Sequence, residues 1–440
     1  MGIQNFPLSL QPIIQQGFLE REFQAALESR LGYRAVADRE EFSVGIGETL
    51  TKTRAGLKPS ITTPLPPATN TNLDNGLTPQ SFGVEQYTIS LNFYAATADL
   101  NMVTSRVGIA SQFLLNAAIN GEQAARSLDE LARNALFPAY FAGNTRVRVT
   151  LGGAGPSVAV DDIRGFTQVW VNGIPTAVGA GNTLNVAVGS DTYLLIGAVA
   201  DASNITTAPG GISGVLTFST SVTVADGTAG NTVTAANASS IARPNGRANT
   251  SLIQPTDLLD MATLLNAVAT LRLNAVPEID GAYNCYLDPV SARQLFGDQA
   301  FQRLFTGATS DNPVFKRGVV NDFLGLRFIP TTEAYVTTLN GPTGQVIRRP
   351  IVCGKGALIE GDFAAMAEAD VAPKDSIVSI VDGVAMVTRE PIDRLQQIIA
   401  QSWYWIGGFT APSDTTTSPQ TIPTATNAVF KRAVMLEHAG

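Results

Sequence analysis

His438 is the only histidine in this 440-residue chain, and Cys285 and Cys353 are its only cysteines. Ser/His/Asp catalysis would have to use His438, which lies at the C-terminal end, where fraying is expected. Each cysteine sits in an apolar stretch, Asn284-Cys285-Tyr286-Leu287 and Ile351-Val352-Cys353-Gly354. Two small buried hydrophobes are the plain reading, because a reactive thiol needs a basic neighbour. Zinc and iron sites lack ligands. Three carboxylate pairs could serve acid–base work: Asp161-Asp162, Glu368/Asp370 and Glu390/Asp393. Each reads more simply as a solvated turn or an ion pair with a nearby arginine. Gly179-Ala180-Gly181 lacks the third glycine of a dinucleotide loop. Gly354-Lys355 is not a phosphate loop, because Arg349 stands where glycine is required and Gly356 follows the lysine. No Gly-x-Ser-x-Gly elbow occurs. Lys52 and Lys58 lie on a segment that projects, and a lysine there could form an isopeptide with an asparagine of a neighbour. Surface charge or a salt bridge is the simpler role. No catalytic, cofactor-binding or metal site is predicted, and no enzyme.

Composition agrees. Hydrophobic residues make up 45% and charged residues 15%, which describes an ordered chain long enough for two to four domains. A net charge of −8 argues against wrapping nucleic acid by phosphate neutralisation, though a container that holds nucleic acid without gripping it tolerates it. No secretory leader and no transmembrane run is recognised, so a protein made in a cytoplasm is expected. Residues Thr145 to Asn249 contain no Lys, Glu, His, Cys or Met. A block so poor in titratable groups suits a β-module inserted into an α+β host.

The elements that would position these residues follow from periodicity. Residues 1–45 read as an arm, with Phe18, Leu19, Phe23, Leu27 and Leu31 at helical spacing. Residues 46–100 read as a long β-hairpin around a Pro/Thr/Asn-rich tip, Val84 to Phe93 alternating clearly. Residues 101–144 carry a spine helix over 105–137, with Ile109, Phe113, Ala117, Ala124, Leu128, Leu131 and Ala135 in one apolar stripe. Glu122/Arg126 and Asp129/Arg133 are predicted as pairs on its other side, and Pro138 as its end. Within 145–249, candidate strands at 167–171, 183–188, 192–196, 214–218 and 221–224 suggest a sandwich or small barrel. A polar linker is expected over 235–248. In 250–385, a helix from Leu258 capped by Thr256, a buried strand Tyr283–Leu287 and a helix starting at Asp288-Pro289 are expected. Strands at 324–329, 350–353, 357–360, 377–381 and 383–388 follow, with a helical turn at 363–369. Residues 386–440 hold apolar, aromatic return strands and a final strand at 429–436.

This order of parts resembles the major capsid proteins of tailed phages, the Hong Kong 97-type fold. The C-terminal half resembles the coat proteins of coliphage N-four-type podoviruses. The residues that carry the likeness are Asn284-Cys285-Tyr286-Leu287-Asp288-Pro289, Phe323 to Glu333, Val352-Cys353-Gly354-Lys355-Gly356-Ala357 and Gln401 to Phe409. The resemblance covers 1–144 and 250–440 and leaves 145–249 as an insertion. It implies an α+β subunit that assembles into hexamers and pentamers of an icosahedral shell around double-stranded DNA. Residues 250–385 would be the axial domain, and the spine helix with strands in 386–411 the peripheral domain. It implies a place in the virion capsid, weak non-specific contact with packaged DNA, no cofactor and no membrane. It leaves room for portal, scaffold or decoration proteins as partners. The competing expectation is another virion or surface structural protein, a tail, fibre or adhesin component whose β-module binds a receptor. The insertion reads as an outward-facing module or as a folding aid, and its Thr, Asn and Gly favour the first.

Overall fold

The computed structural model describes residues 32–42, 49–55, 62, 84–101, 112–171, 174–208, 211–236, 238–306, 322–323, 325–338, 346–363, 378–389, 398–412, 421–422 and 429–440. Strand β1 (Ala37–Phe42) leads to β2 (Thr49–Ala55), β3 (Val84–Ser90), β4 (Asn92–Asn101) and helix α1 (Gln112–Phe141). Then come β5 (Asn144–Arg146), β6 (Gly155–Val160), β7 (Gln168–Val171), β8 (Ile174–Ala177), β9 (Leu184–Val188), β10 (Asp191–Ala200), β11 (Gly214–Val222), β12 (Thr232–Ala235) and β13 (Ile241–Ala242). Helix α2 (Met261–Leu273), β14 (Tyr283–Leu287), α3 (Pro289–Gly297) and α4 (Gln299–Thr306) follow. Next are β15 (Asp322–Phe323), β16 (Leu326–Pro330), β17 (Tyr335–Thr338), β18 (Val346–Arg349), β19 (Ile351–Cys353) and β20 (Leu358–Phe363). The chain ends with β21 (Val378–Val381), β22 (Val384–Arg389), β23 (Ile398–Thr410), β24 (Thr421–Ile422), β25 (Ala433–Leu436) and β26 (His438–Ala439).

The body is a mixed sheet in the order β13-β25-β19-β14-β16-β15, covered on both faces. On one face, Tyr286, Ile351, Cys353 and Met435 pack against Tyr33, Val36 and the Leu136, Phe137 and Tyr140 of α1. On the other, Tyr283, Cys285, Leu287, Val352 and Leu436 meet Leu264, Val268 and Leu271 of α2, Leu295 of α3 and Phe301 of α4. Coverage of both faces is why Tyr283–Leu287 is buried at every position instead of alternating.

A second sheet, β1-β20-β23-β22-β21 with β4 also on β23, lies along the first part of α1. Ala117, Ala124, Ala125 and Leu128 of the helix pack on Trp403, Trp405 and Met386. Small helix residues let the strand come close, and Asn120 Nδ2 donates to the Gln401 carbonyl at 3.2 Å. At the far end of β23, a Cβ on Gly408 would lie 1.9 Å from the Ser90 carbonyl oxygen, so only glycine lets the ribbon cross there.

A third sheet runs β5-β12-β9-β10-β11-β6, each neighbouring pair antiparallel. An antiparallel bridge between Val147 and Val160 joins its two edges, so the six strands close around one core that includes Val158, Val186, Leu195, Leu216, Phe218 and Val233. Strands β7, β8 and β24 form a small separate sheet.

Several expectations need correcting. Helix α1 runs through Pro138 to Phe141, because buried Phe137 and Tyr140 hold its last turn and Tyr140 donates to the Ala357 carbonyl at 2.9 Å. Asp129 is buried and accepts the Arg34 N–H at 3.2 Å, so it is not on a solvated side with Arg133. Arg133 instead meets Glu130 at 3.0 Å and Glu333 at 3.6 Å. Arg126 also reaches Glu333. The cap of α2 is Asp260, whose side chain accepts from Thr263 N, and the helix begins at Met261. The supposed linker 235–248 carries the end of β12 and β13, which pairs in parallel with β25. Ser221–Val222 continue β11 instead of starting a strand. Sheet membership also runs across the boundary expected at 385/386. Strands β20, β21 and β22 join β23, whereas β25 and β26 return to the body and its neighbour β18. The helix expected at Phe18–Leu31, the Pro-rich tip and most of the turn at 363–369 lie outside the described residues.

Candidate functional site

Among the described residues, most of the candidate groups are buried or paired. Cys285 and Cys353 lie on opposite faces of the body sheet, both fully buried, and burial pushes both thiols up. Asp162 forms a buried pair with Arg164, Nη2 to Oδ2 at 2.7 Å. Asp161 accepts from Thr207 N at 2.9 Å and lies 3.5 Å from Arg146. Both carboxylates hold turns of the closed sheet and are buried, not solvated. Glu368, Asp370, Glu390, Asp393 and Lys58 lie outside the described residues. Lys52 pairs with Glu40 at 2.5 Å within its own chain, and the Tyr87 hydroxyl donates to the same carboxylate at 3.0 Å. Lys355 sits exposed in the turn between β19 and β20. Among the described residues no group of His, Cys, Asp and Glu could hold a metal ion, and no helix is long and apolar enough to cross a membrane.

His438 is not at a frayed end. It is fully buried on β26, paired with Arg348 of β18. Its Nε2 lies 2.7 Å from Ser291 Oγ, which also meets Asp288 Oδ1. Serine stands between histidine and aspartate here, and the whole cluster is closed to solvent. A nucleophile needs the histidine between itself and the acid, and a path for substrate.

What the molecule does present is a limb. Strands β2 and β3 pair over seven residues as a two-stranded ribbon, Thr49↔Ser90 to Ala55↔Val84. Its root packs through Ile89 on Ile359 of β20, with Leu50, Tyr87 and Leu91 beside it. Thr49, Thr51, Thr53, Thr88 and Ser90 are exposed. A cleft of about 230 Å³ runs under this root, lined by Tyr94, Ala135, Ala139, Trp405 and Phe409 among others. The indole N–H of Trp405 is buried there without a partner among the described residues. Next to it β4 pairs only with β23, so its other edge has no strand partner among the described residues. That edge carries Phe93, 64% exposed and stacked on Tyr404 at 5.7 Å.

The turn before β1 and β1 itself are anchored by charges that sequence periodicity does not reveal. Arg34, in the 3-10 turn Tyr33–Val36 before β1, is 4% exposed. Its guanidinium meets Glu360 of β20 at 2.6 Å and Asp382 of the β21–β22 turn at 3.1 Å. Arg39 reaches the same Asp382 at 2.5 Å. Burial raises the pKa of Asp129, opposed by the N–H groups of Arg34, Tyr33 and Gly32 that it accepts. The C-terminal strand has its own anchor. Glu437 is fully buried between Arg243 and Arg349, each at 2.8 Å. Burial raises its pKa, but the two arginines and the Thr250 hydroxyl outweigh it and hold the carboxyl at about 2. Such partners lie far apart in sequence, and nothing in local spacing marks them.

No protein-family model matches the sequence, and no curated protein matches it. Solved structures show likenesses at low identity. A chain of the capsid of Ralstonia phage GP4 is 13% identical at a TM-score of 0.48, the match covering 94% of this chain and 90% of that one. For the capsid of cyanophage P-SCSP1u the values are 12%, 0.45, 92% and 87%. For the cyanophage Pam1 capsid they are 13%, 0.45, 93% and 92%.

Proposed function

We propose that this chain is the major capsid protein of a tailed double-stranded DNA phage, a structural subunit without enzymatic activity that self-assembles into an icosahedral head. The ribbon β2–β3 carries the reading. A two-stranded ribbon is marginal in water, and free strand edges invite pairing with another chain. Here both conditions meet in a limb whose described apolar packing, Ile89 on Ile359, lies at its root. The edge of β4 that has no strand partner among the described residues, and the exposed Phe93 ring beside that root, add surface that a second copy would cover. The ribbon is tied to β1 through the Glu40 carboxylate, which meets Lys52 and Tyr87.

In the Hong Kong 97-type arrangement implied by the sequence resemblance, α1 is the spine helix and β2–β3 the extended loop. The sheet of β1, β20, β23, β22, β21 and β4 is the peripheral domain. The body sheet with α2, α3 and α4 is the axial domain, completed by β25 and β26. The closed sheet within 145–249 is the inserted domain, facing outward. The subunit works in hexamers and pentamers, with packaged DNA touched weakly.

Electron microscopy of the purified chain tests the proposal. Closed shells or ring-shaped capsomers are expected. Rods or small discrete oligomers would favour a tail or fibre component instead. Removing 150–240 should leave a subunit that folds, and a variant that cannot fold would make the block a folding aid.

A further inference from the structure

The closed sheet joins the body at a junction rich in arginine. A cavity of about 20 Å³ lies there, lined by Arg146, Thr232 and Thr234 of the closed sheet and by Arg243, Thr250 and Arg349 on the body side, among others. Thr232 and Thr234 alternate along β12 with the buried Val233 and Ala235, so they turn away from the core of the closed sheet. A single water needs about 10–15 Å³ of such space, so the cavity has room for one small particle and none for a polyatomic ion.

Three guanidinium groups meet two carboxylates around it. Arg243 and Arg349 share Glu437, each at 2.8 Å. Arg349 also lies over the Phe141 ring, 5.5 Å from its centre. Arg146 lies 3.5 Å from Asp161. Asp161 lines the cavity too, and it accepts from the Thr207 N–H at 2.9 Å and from the Thr207 hydroxyl. The neighbouring charges cancel in pairs: Arg148 with Asp201, Arg164 with Asp162 and Arg247 with Asp257. Among these described ion pairs, six guanidinium groups stand against five carboxylates. Arg349 and Glu437 are buried, and a surplus charge held out of water is costly unless a counter-charge joins it.

We propose that this cavity is a site for one chloride ion, held by the guanidinium groups of Arg146, Arg243 and Arg349 and by the hydroxyls of Thr232 and Thr234. A threonine hydroxyl turns its proton toward whatever accepts it, so both can donate to an anion. Water, the other particle of suitable size, brings a dipole and no charge. The ion supplies the counter-charge that the junction's own carboxylates leave short. It therefore ties β5 and β12 of the closed sheet to β18 and the 243–257 connection of the body, and the fold is more stable with it than without it.

Thermal unfolding of the full chain at constant ionic strength, with chloride exchanged stepwise for gluconate, tests this. A ligand bound only by the folded state raises Tm with its concentration. Tm should rise with chloride and level off at saturation, and bromide should replace chloride. Equal Tm in chloride and gluconate means that the cavity holds water only and overturns the site. A rise that never levels off is a general salt effect and overturns it too. Thr234→Asp builds the counter-charge into the chain. Its Tm should no longer depend on chloride and should exceed that of the unmodified chain in gluconate, whereas an unchanged chloride dependence overturns the site. If that variant does not fold, Arg146→Gln decides: it removes the surplus cation and can still donate to Thr207, so the chloride dependence should vanish, and its persistence overturns the proposal.

Discussion

Glu437 and Arg34 are the two residues at which a single atom change should be felt most. Each sits in a buried ion cluster, and removing one partner leaves the rest charged and out of water. Glu437→Gln strands Arg243 and Arg349, and a loss of about 3–5 kcal/mol in denaturant unfolding is expected. Glu360→Gln, which leaves Arg34 only the partly exposed Asp382, should cost somewhat less. Glu437 has a folded value of about 2, below its ordinary 4.5, so its contribution is present above 4.5 and is lost as pH falls toward 2. Asp226 behaves alike: burial raises it, but donors from Ser190, Tyr193 and Thr223 hold it at about 2. Acid unfolding below pH 4.5 should therefore be shallower in Glu437→Gln than in the unmodified chain. None of these clusters was legible in the sequence. Arg34 and Glu360 are 326 positions apart, and only folding brings them together.

At the scale of elements, local chemistry was a better guide. The helix start at Asp288-Pro289 was legible because proline suits the first helical position and aspartate caps it. The strand Tyr283–Leu287 was legible as an unbroken apolar run. Pro138 misled, because tertiary packing of Phe137 and Tyr140 outweighs one missing hydrogen bond. Thr256 misled as a cap because Asp260, four residues on, offers the stronger acceptor to Thr263 N. Two substitutions test the packing account. Leu271→Ala on α2 empties a site between helix and body sheet, and a loss of about 2–5 kcal/mol in denaturant unfolding is expected. Gly165 has φ +84 and faces the Gly143 backbone, where a Cβ would come within 2.3 Å of the nitrogen. Gly165→Ala should therefore lower Tm by loosening the junction between α1 and the closed sheet, where Gly143 N donates to the Arg164 carbonyl.

Across the whole molecule, the charges are spread thinly and the buried clusters mark where separate layers are pinned together. A subunit with a two-stranded ribbon should gain stability when another copy covers it. The assembled form is therefore expected to melt at a higher temperature than the isolated subunit, and the subunit's Tm should rise with protein concentration. Calorimetry over a concentration series checks this, and an isolated chain with a concentration-independent, high Tm that never closes into a cage would remove the basis of the capsid proposal. Phe93→Ser should weaken assembly while leaving the monomer's unfolding midpoint nearly unchanged, because that ring is mostly exposed in the single chain.

The amino-acid order by itself determined the mixture of helices and strands, the absence of Lys, Glu, His, Cys and Met from 145–249 and the shortage of catalytic side chains. Those properties depend on composition and on neighbours a few positions away. Only the tertiary structure decided that six strands close through Val147 and Val160, that β20 and β25 belong to different sheets, and that the last histidine is a buried tie instead of a loose end. Such features come from contacts between residues tens to hundreds of positions apart, whose partners are chosen by how whole layers pack, and periodicity along the chain carries no record of that choice.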